Sequence, residues 1–265
     1  MVEVTFAQLH GWLIAFLWPF CRITGLMLTS PLWGHSSVPR QVKLGLAMAL
    51  TVVMAPVIPP MPDVPLVSWA GLGILVEQLL VGAAMGLVMR VTLVVVQATG
   101  EFIGLKMGLA FATFFDPASG TNMMVLSRIL YMITLMMFLA FNGHLAVLEI
   151  LAWSFRILPV GLGQYDPAAF EMLARYGGII FSSGMLLALP LVAALLVVSL
   201  SLGILNRSAP QLTIFSIGFP AQLTMGVALL MVLMTDLDRF LERLFAQGLD
   251  TLRGFLETLA AVPGG

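Results

Sequence analysis

GEFIGLKMGLAFATFFDPASG, residues 100–120, combines features that a plain membrane span does not hold together. Gly100, Gly104 and Gly108, followed by Ala112, recur every four residues. On a helix they form one bare ridge against which a second backbone can pack closely. Glu101 and Lys106 lie within the ridge with apolar sequence on both sides, and ionised groups in such a setting are costly unless they face protein or water. The stretch then reaches Asp116-Pro117, an N-cap residue followed by the residue best suited to a first helical position. Phe111, Phe114 and Phe115 are thereby placed on an apolar tip between two helices. The pattern points to a hairpin whose tip plugs a gated pathway; ordinary core is the alternative reading of the three phenylalanines.

The rest of the chain has the composition of a membrane protein. Of 265 residues, 60% are hydrophobic and 9% charged, with a mean hydropathy of +1.05, far from the average for soluble domains. The fold class this implies is all-α: an integral membrane protein of helical hairpins with interrupted helices. A formal net charge of -1 without a basic patch argues against nucleic acid as a partner. The single Cys21 excludes an intrachain disulfide. The first residues lack the basic leader and small-residue cleavage pattern of a secretory signal, so they read as a retained helix.

Taken in order, residues 4–21 are long enough to cross the hydrocarbon, with Pro19 as a possible kink and Arg22 directly after. The helix is expected to stop near Pro31 and the next to start near Pro39, with Arg40 and Lys43 in its first turn. The proline cluster PVIPPMPDVP, residues 56–65, reads as a rigid connector. Residues 68–111 are helix-compatible throughout, with Gly82 and Gly86 as a second close-packing ridge, for which chance in an apolar helix is the alternative. Asn142-Gly143 reads as a turn, and Asp166-Pro167 as a helix start. Residues 176–205 are the best conventional span, and the connector 206–220 reads as a non-helical apolar segment. From Asp236 the apolar residues recur at three- and four-residue spacing between acids and arginines. We therefore divide the chain into a membrane helical domain, 1–235, and an amphipathic tail, 236–265.

Candidate chemistry is sparse. His10, His35 and His144 are isolated, and the 18 methionines are spread along the chain, so neither a metal site nor a cofactor is expected. No G-x-S-x-G, H-E-x-x-H or Walker sequence occurs, and the chain reads as a non-enzyme. Glu101, Lys106, Arg128 and Arg207 stand in apolar contexts as candidate buried charges or subunit contacts, with snorkelling or capping as the alternative for the two arginines.

Three stretches, CRITGLMLTSPLWG (21–34), GLAFATFFDPASG (108–120) and LNRSAPQLTIFSIGFP (205–220), together resemble the FliR family of flagellar export-gate proteins, whose counterparts serve virulence-associated type III secretion. The resemblance spans almost the whole chain; its one small departure is Cys21, where a small or aliphatic residue is usual. It implies assembly with P-type and Q-type gate subunits, contact with the FlhB-type export switch protein, and a closed channel for unfolded flagellar proteins. It also implies a plug built from Met107, Phe111, Phe114, Phe115, Asp116 and Pro117, and a signature connector with Asn206, Pro210, Gln211, Phe215, Gly218 and Pro220. The implied location is the bacterial inner membrane at the flagellar basal body, with the tail on the cytoplasmic side. The competing reading is a stand-alone secondary transporter of a small solute, motivated by interrupted helices and intramembrane charges.

Overall fold

The computed structural model describes residues 6–62, 64–109, 125–161, 163, 165–208 and 218–261, with side chains from residue 11 onward. Among them the secondary structure is helical: α1 (Phe6–Thr29), α2 (Arg40–Met54) with a 3-10 turn (Ala55–Val57), α3 (Trp69–Lys106), α4 (Val125–Ala140), α5 (Gly143–Ile157), α6 (Ala168–Tyr176), α7 (Ile179–Ser208) and α8 (Phe219–Ala260). Among the described residues five helical stretches are long and apolar enough to cross a membrane, or up to six if the pair broken at Asn142 is one span.

The helix ends follow local chemistry. Between α1 and α2 the Lys43 Nζ donates to the Gly34 carbonyl at 2.9 Å, tying the connector to the start of α2. The α3 N-terminus is capped by Ser68, whose Oγ accepts the Gly71 N–H at 3.0 Å. At α6 the Asp166 Oδ1 accepts the Ala168 N–H at 2.8 Å, the geometry expected of an Asp cap with Pro167 in the first helical position. Asn142 takes a left-handed conformation, φ 56°, and so separates α4 from α5.

One expectation needs adjusting. Helix α3 does not run on to Phe111 but stops at Lys106, because Gly108 adopts φ 80°. The Leu109 N–H then reaches the Gly104 carbonyl at 3.0 Å and the Gly108 N–H that of Leu105 at 3.2 Å, a Schellman closure. At the other end of the chain, α8 passes through Asp236 without interruption. The change there is one of surface character, and no Gly or Pro stands near Asp236 to break the backbone.

The chain forms two compact units, residues 1–91, 142–177 and 246–265 in the first and residues 92–141 and 178–245 in the second. In the first unit α1 lies against α3 through glycines. A Cβ on Gly82 would enter the Arg22 carbonyl, one on Gly25 the Leu79 carbonyl, and one on Gly86 the Thr29 hydroxyl. Across this seam Thr29 Oγ1 donates to the Ala83 carbonyl at 2.9 Å. The later part of α8 adds its apolar face, with Leu252, Phe255, Leu256 and Leu259 buried and Phe255 edge-on to Phe170. In the second unit, α3 residues from Thr92 onward pack with α4, α7 and the earlier part of α8. Phe138 and Phe141 meet Phe245 edge-on there, and Phe102 meets Phe181.

Candidate functional site

The described part of the 100–120 stretch, residues 100–109, lies in the second unit. Gly100 faces α4: a Cβ there would stand 2.6 Å from the Ser127 Cα. Ser127 is fully buried and its hydroxyl has no hydrogen-bond partner, so it serves by being small. One residue earlier, Thr99 Oγ1 donates to the Gly184 carbonyl of α7 at 3.1 Å. A Cβ on Gly184 would crowd the Val95 carbonyl at 3.1 Å. Gly104 is buried, whereas Gly108 leaves the ridge. Its four-residue spacing continues the helical pattern, but its backbone is the left-handed turn that ends the helix. Met107, just before that turn, is 2% exposed and lies against the bare backbone of Gly226 on α8. Of the residues expected to form a plug, Met107 is thus placed against α8, while Phe111, Phe114, Phe115, Asp116 and Pro117 fall outside the described residues.

The candidate charges are not buried within this chain. Lys106, Arg128 and Arg207 are exposed and Glu101 is half-buried. Lys106 and Arg207 sit in the last turns of α3 and α7, where a cation meets the negative end of the helix dipole. Arg128 is in the first turn of α4. Lys106 and Arg207 are therefore favoured where they stand, whereas Arg128 lies at the positive end of its helix and gains nothing from the dipole.

Among the described residues the buried cation is Arg22, which by its place after the first apolar run looks like a flank of that span. Arg22 is 0% exposed and is held inside the first unit by four groups. Its Nε donates to Gln78 Oε1 at 2.7 Å, its Nη1 to Ser154 Oγ at 3.1 Å and its Nη2 to the Leu158 carbonyl at 2.9 Å. Its Cζ stands 4.4 Å from the centre of the Phe155 ring, a cation–π contact. Ser154 donates its own hydroxyl to the Leu151 carbonyl at 2.7 Å, so its oxygen lone pair is free to accept from Arg22. Gln78 Nε2 reaches Glu77 Oε1 at 3.3 Å, and Tyr165 donates its hydroxyl to the same oxygen. Burial and the bond to Glu77 push the Tyr165 phenol above its ordinary value, so it remains a donor. Together these bonds strap Ser154, Leu158 and Tyr165 onto α1 and α3. Beside the strap is a cavity of about 420 Å³ lined by Leu72, Val76, Glu77, Leu80, Tyr165 and Phe170.

The connector expected to be non-helical over 206–220 is helical at both ends. Asn206 and Arg207 belong to α7, and Pro220 to the first turn of α8, after the buried Gly218. Pro210, Gln211 and Phe215 fall outside the described residues. Among residues with clear packing roles, Gly25, Ser127, Gly184 and Gly226 were not singled out from sequence. Gly25 had a visible signal in its spacing from Arg22 and Thr29, whereas the partners of the others are distant in the chain.

Residues 13–248 match the family described as Bacterial export proteins, family 1. The chain is 45% identical to the flagellar biosynthetic protein FliR of Escherichia coli K12, covering 99% of this chain and 100% of that protein. It is 43% identical to FliR of Pectobacterium carotovorum, over 95% and 96%. It is 30% identical to FliR of Bacillus subtilis, over 91% and 94%.

Proposed function

Because the chain belongs to the bacterial export proteins of family 1, we propose that it is a non-enzymatic component of a flagellar protein export apparatus in the bacterial inner membrane. It assembles with P-type and Q-type subunits and the FlhB-type switch protein around a channel for unfolded flagellar proteins, at the basal body. The hairpin tip, Phe111, Phe114 and Phe115 carried between Met107 and Pro117, plugs that channel. The observation that carries this reading is full-length similarity to FliR, joined to a hairpin root braced on three helices at Gly100, Thr99 and Met107. A plug needs a fixed root if its tip is to block one place. The exposed Lys106, Arg128 and Arg207 serve as contacts to the other subunits.

The test is replacement of Phe111, Phe114 and Phe115 by alanine together. The expected outcome is an assembled complex, measured by co-purification of the partner subunits, in a membrane that has become permeable to small ions. An assembled complex in an ion-tight membrane would refute the plug.

A further inference from the structure

We propose that Gly226 is a positioning residue for the hairpin: the bare α8 backbone at that point is the seat of Met107 and fixes where the hairpin root stands. The inference rests on the plug reading of residues 107–117 and adds the element that holds the plug in register.

Three observations carry it. First, a Cβ built on Gly226 would stand 2.6 Å from Met107 Cγ, 2.7 Å from its Cε and 2.8 Å from its Sδ, so the whole end of the methionine side chain occupies the space that a side chain at 226 would take. Second, between Phe219 and Asp236 Gly226 alone is buried. This part of α8 is otherwise half-covered or open, and it is fully covered only where Met107 lies. One turn earlier on the same face, Gln222 Nε2 donates to Ser199 Oγ of α7 at 2.8 Å, which holds that face inward. Third, Met107 directly precedes the left-handed Gly108, so a displaced Met107 moves the turn from which the tip departs.

The choice of residues fits this role. Glycine inside a helix costs about 1 kcal/mol relative to alanine, so its presence in a 42-residue helix is a local conflict that close packing resolves. Methionine, flexible and unbranched, fills such an irregular gap. A methyl at 226 meets a side-chain end and not backbone, so it displaces Met107 without forcing the helices apart.

The experiment uses the full chain in its assembled membrane complex. In a Cys21→Ser background, Met107→Cys is paired with Gly226→Cys, oxidised, denatured in SDS so that buried thiols are reachable, and then labelled with a maleimide. The seat predicts loss of both labels, while the control pair of Met107→Cys with the exposed Met225→Cys keeps them. In parallel, Gly226→Val and Met107→Ala are tested singly and together for ion leak. Each single variant is expected to leak, one by overfilling the seat and one by emptying it, and the volume-conserving double to leak several-fold less than either. If Gly226→Val fails to accumulate, Gly226→Ala, which favours the helix, takes its place. Free thiols after oxidation would overturn the seat. Cross-linking with every variant ion-tight would leave the seat standing and overturn the plug reading instead.

Discussion

Helix α3 is packed by glycine in both units, but what surrounds the glycines differs. In the first unit Gly82 and Gly86 bring α3 onto α1 beside a fully buried arginine whose donors end on Gln78, Ser154 and Leu158. In the second, Gly100 meets a serine with no hydrogen-bond partner, Gly226 meets a thioether, and Thr99 supplies a hydrogen bond to α7. The first seam is locked by charge and directional bonds, whereas the second is held mostly by shape. Under the proposed plug reading, the first seam is the frame and the second sets where the root stands.

The comparison breaks most visibly at Arg22. Arg22→Met leaves three buried acceptors without donors, at about 1 kcal/mol or more each, so a loss of roughly 3 kcal/mol is expected. It would be read as a lower unfolding midpoint of the detergent-solubilised protein. Arg22→Lys should recover only part of it, since a lysine cannot present the planar fork that three separate acceptors use. A full rescue by lysine would mean that charge alone matters there.

Gly82→Ala comes next. Its methyl would press on backbone, which cannot step aside, so a destabilisation of about 1–3 kcal/mol is expected. Gly45→Ala, at a helical glycine with open space around it, should instead stabilise slightly. Equal responses at the two positions would show that α1 and α3 separate easily. The smallest effect is expected in the second unit, where Thr99→Val removes the bond to Gly184 at a cost of about 0.6 kcal/mol. A loss as large as that at Arg22 would erase the distinction between the two seams.

Much of this architecture was legible from residue order. The Asp166-Pro167 cap, the Asn142-Gly143 turn, the restart of helix at Arg40 and the apolar face of α8 all depend on neighbours within a turn or two, and such signals survive in a single sequence. Arg22 was not legible, because its partners stand 56, 132 and 136 residues away, and an arginine after an apolar run looks like a membrane-edge residue. Gly108 misled for a different reason. Four-residue spacing is shared by a helix and by the glycine that terminates it, and only φ separates them. Of the candidate site, the root's glycine ridge was visible, whereas its seat on α8 depends on a contact between residues more than a hundred positions apart.

The length of α3 carries one more consequence. At 1.5 Å per residue its 38 residues make a rod of about 57 Å, while bilayer hydrocarbon is about 30 Å thick and helices lean by at most about 40°. No such lean hides the rod. A stretch of α3 therefore stands clear of the acyl chains, in water or sheathed by other protein, and Glu101 and Lys106 at its far end are suited to that exit.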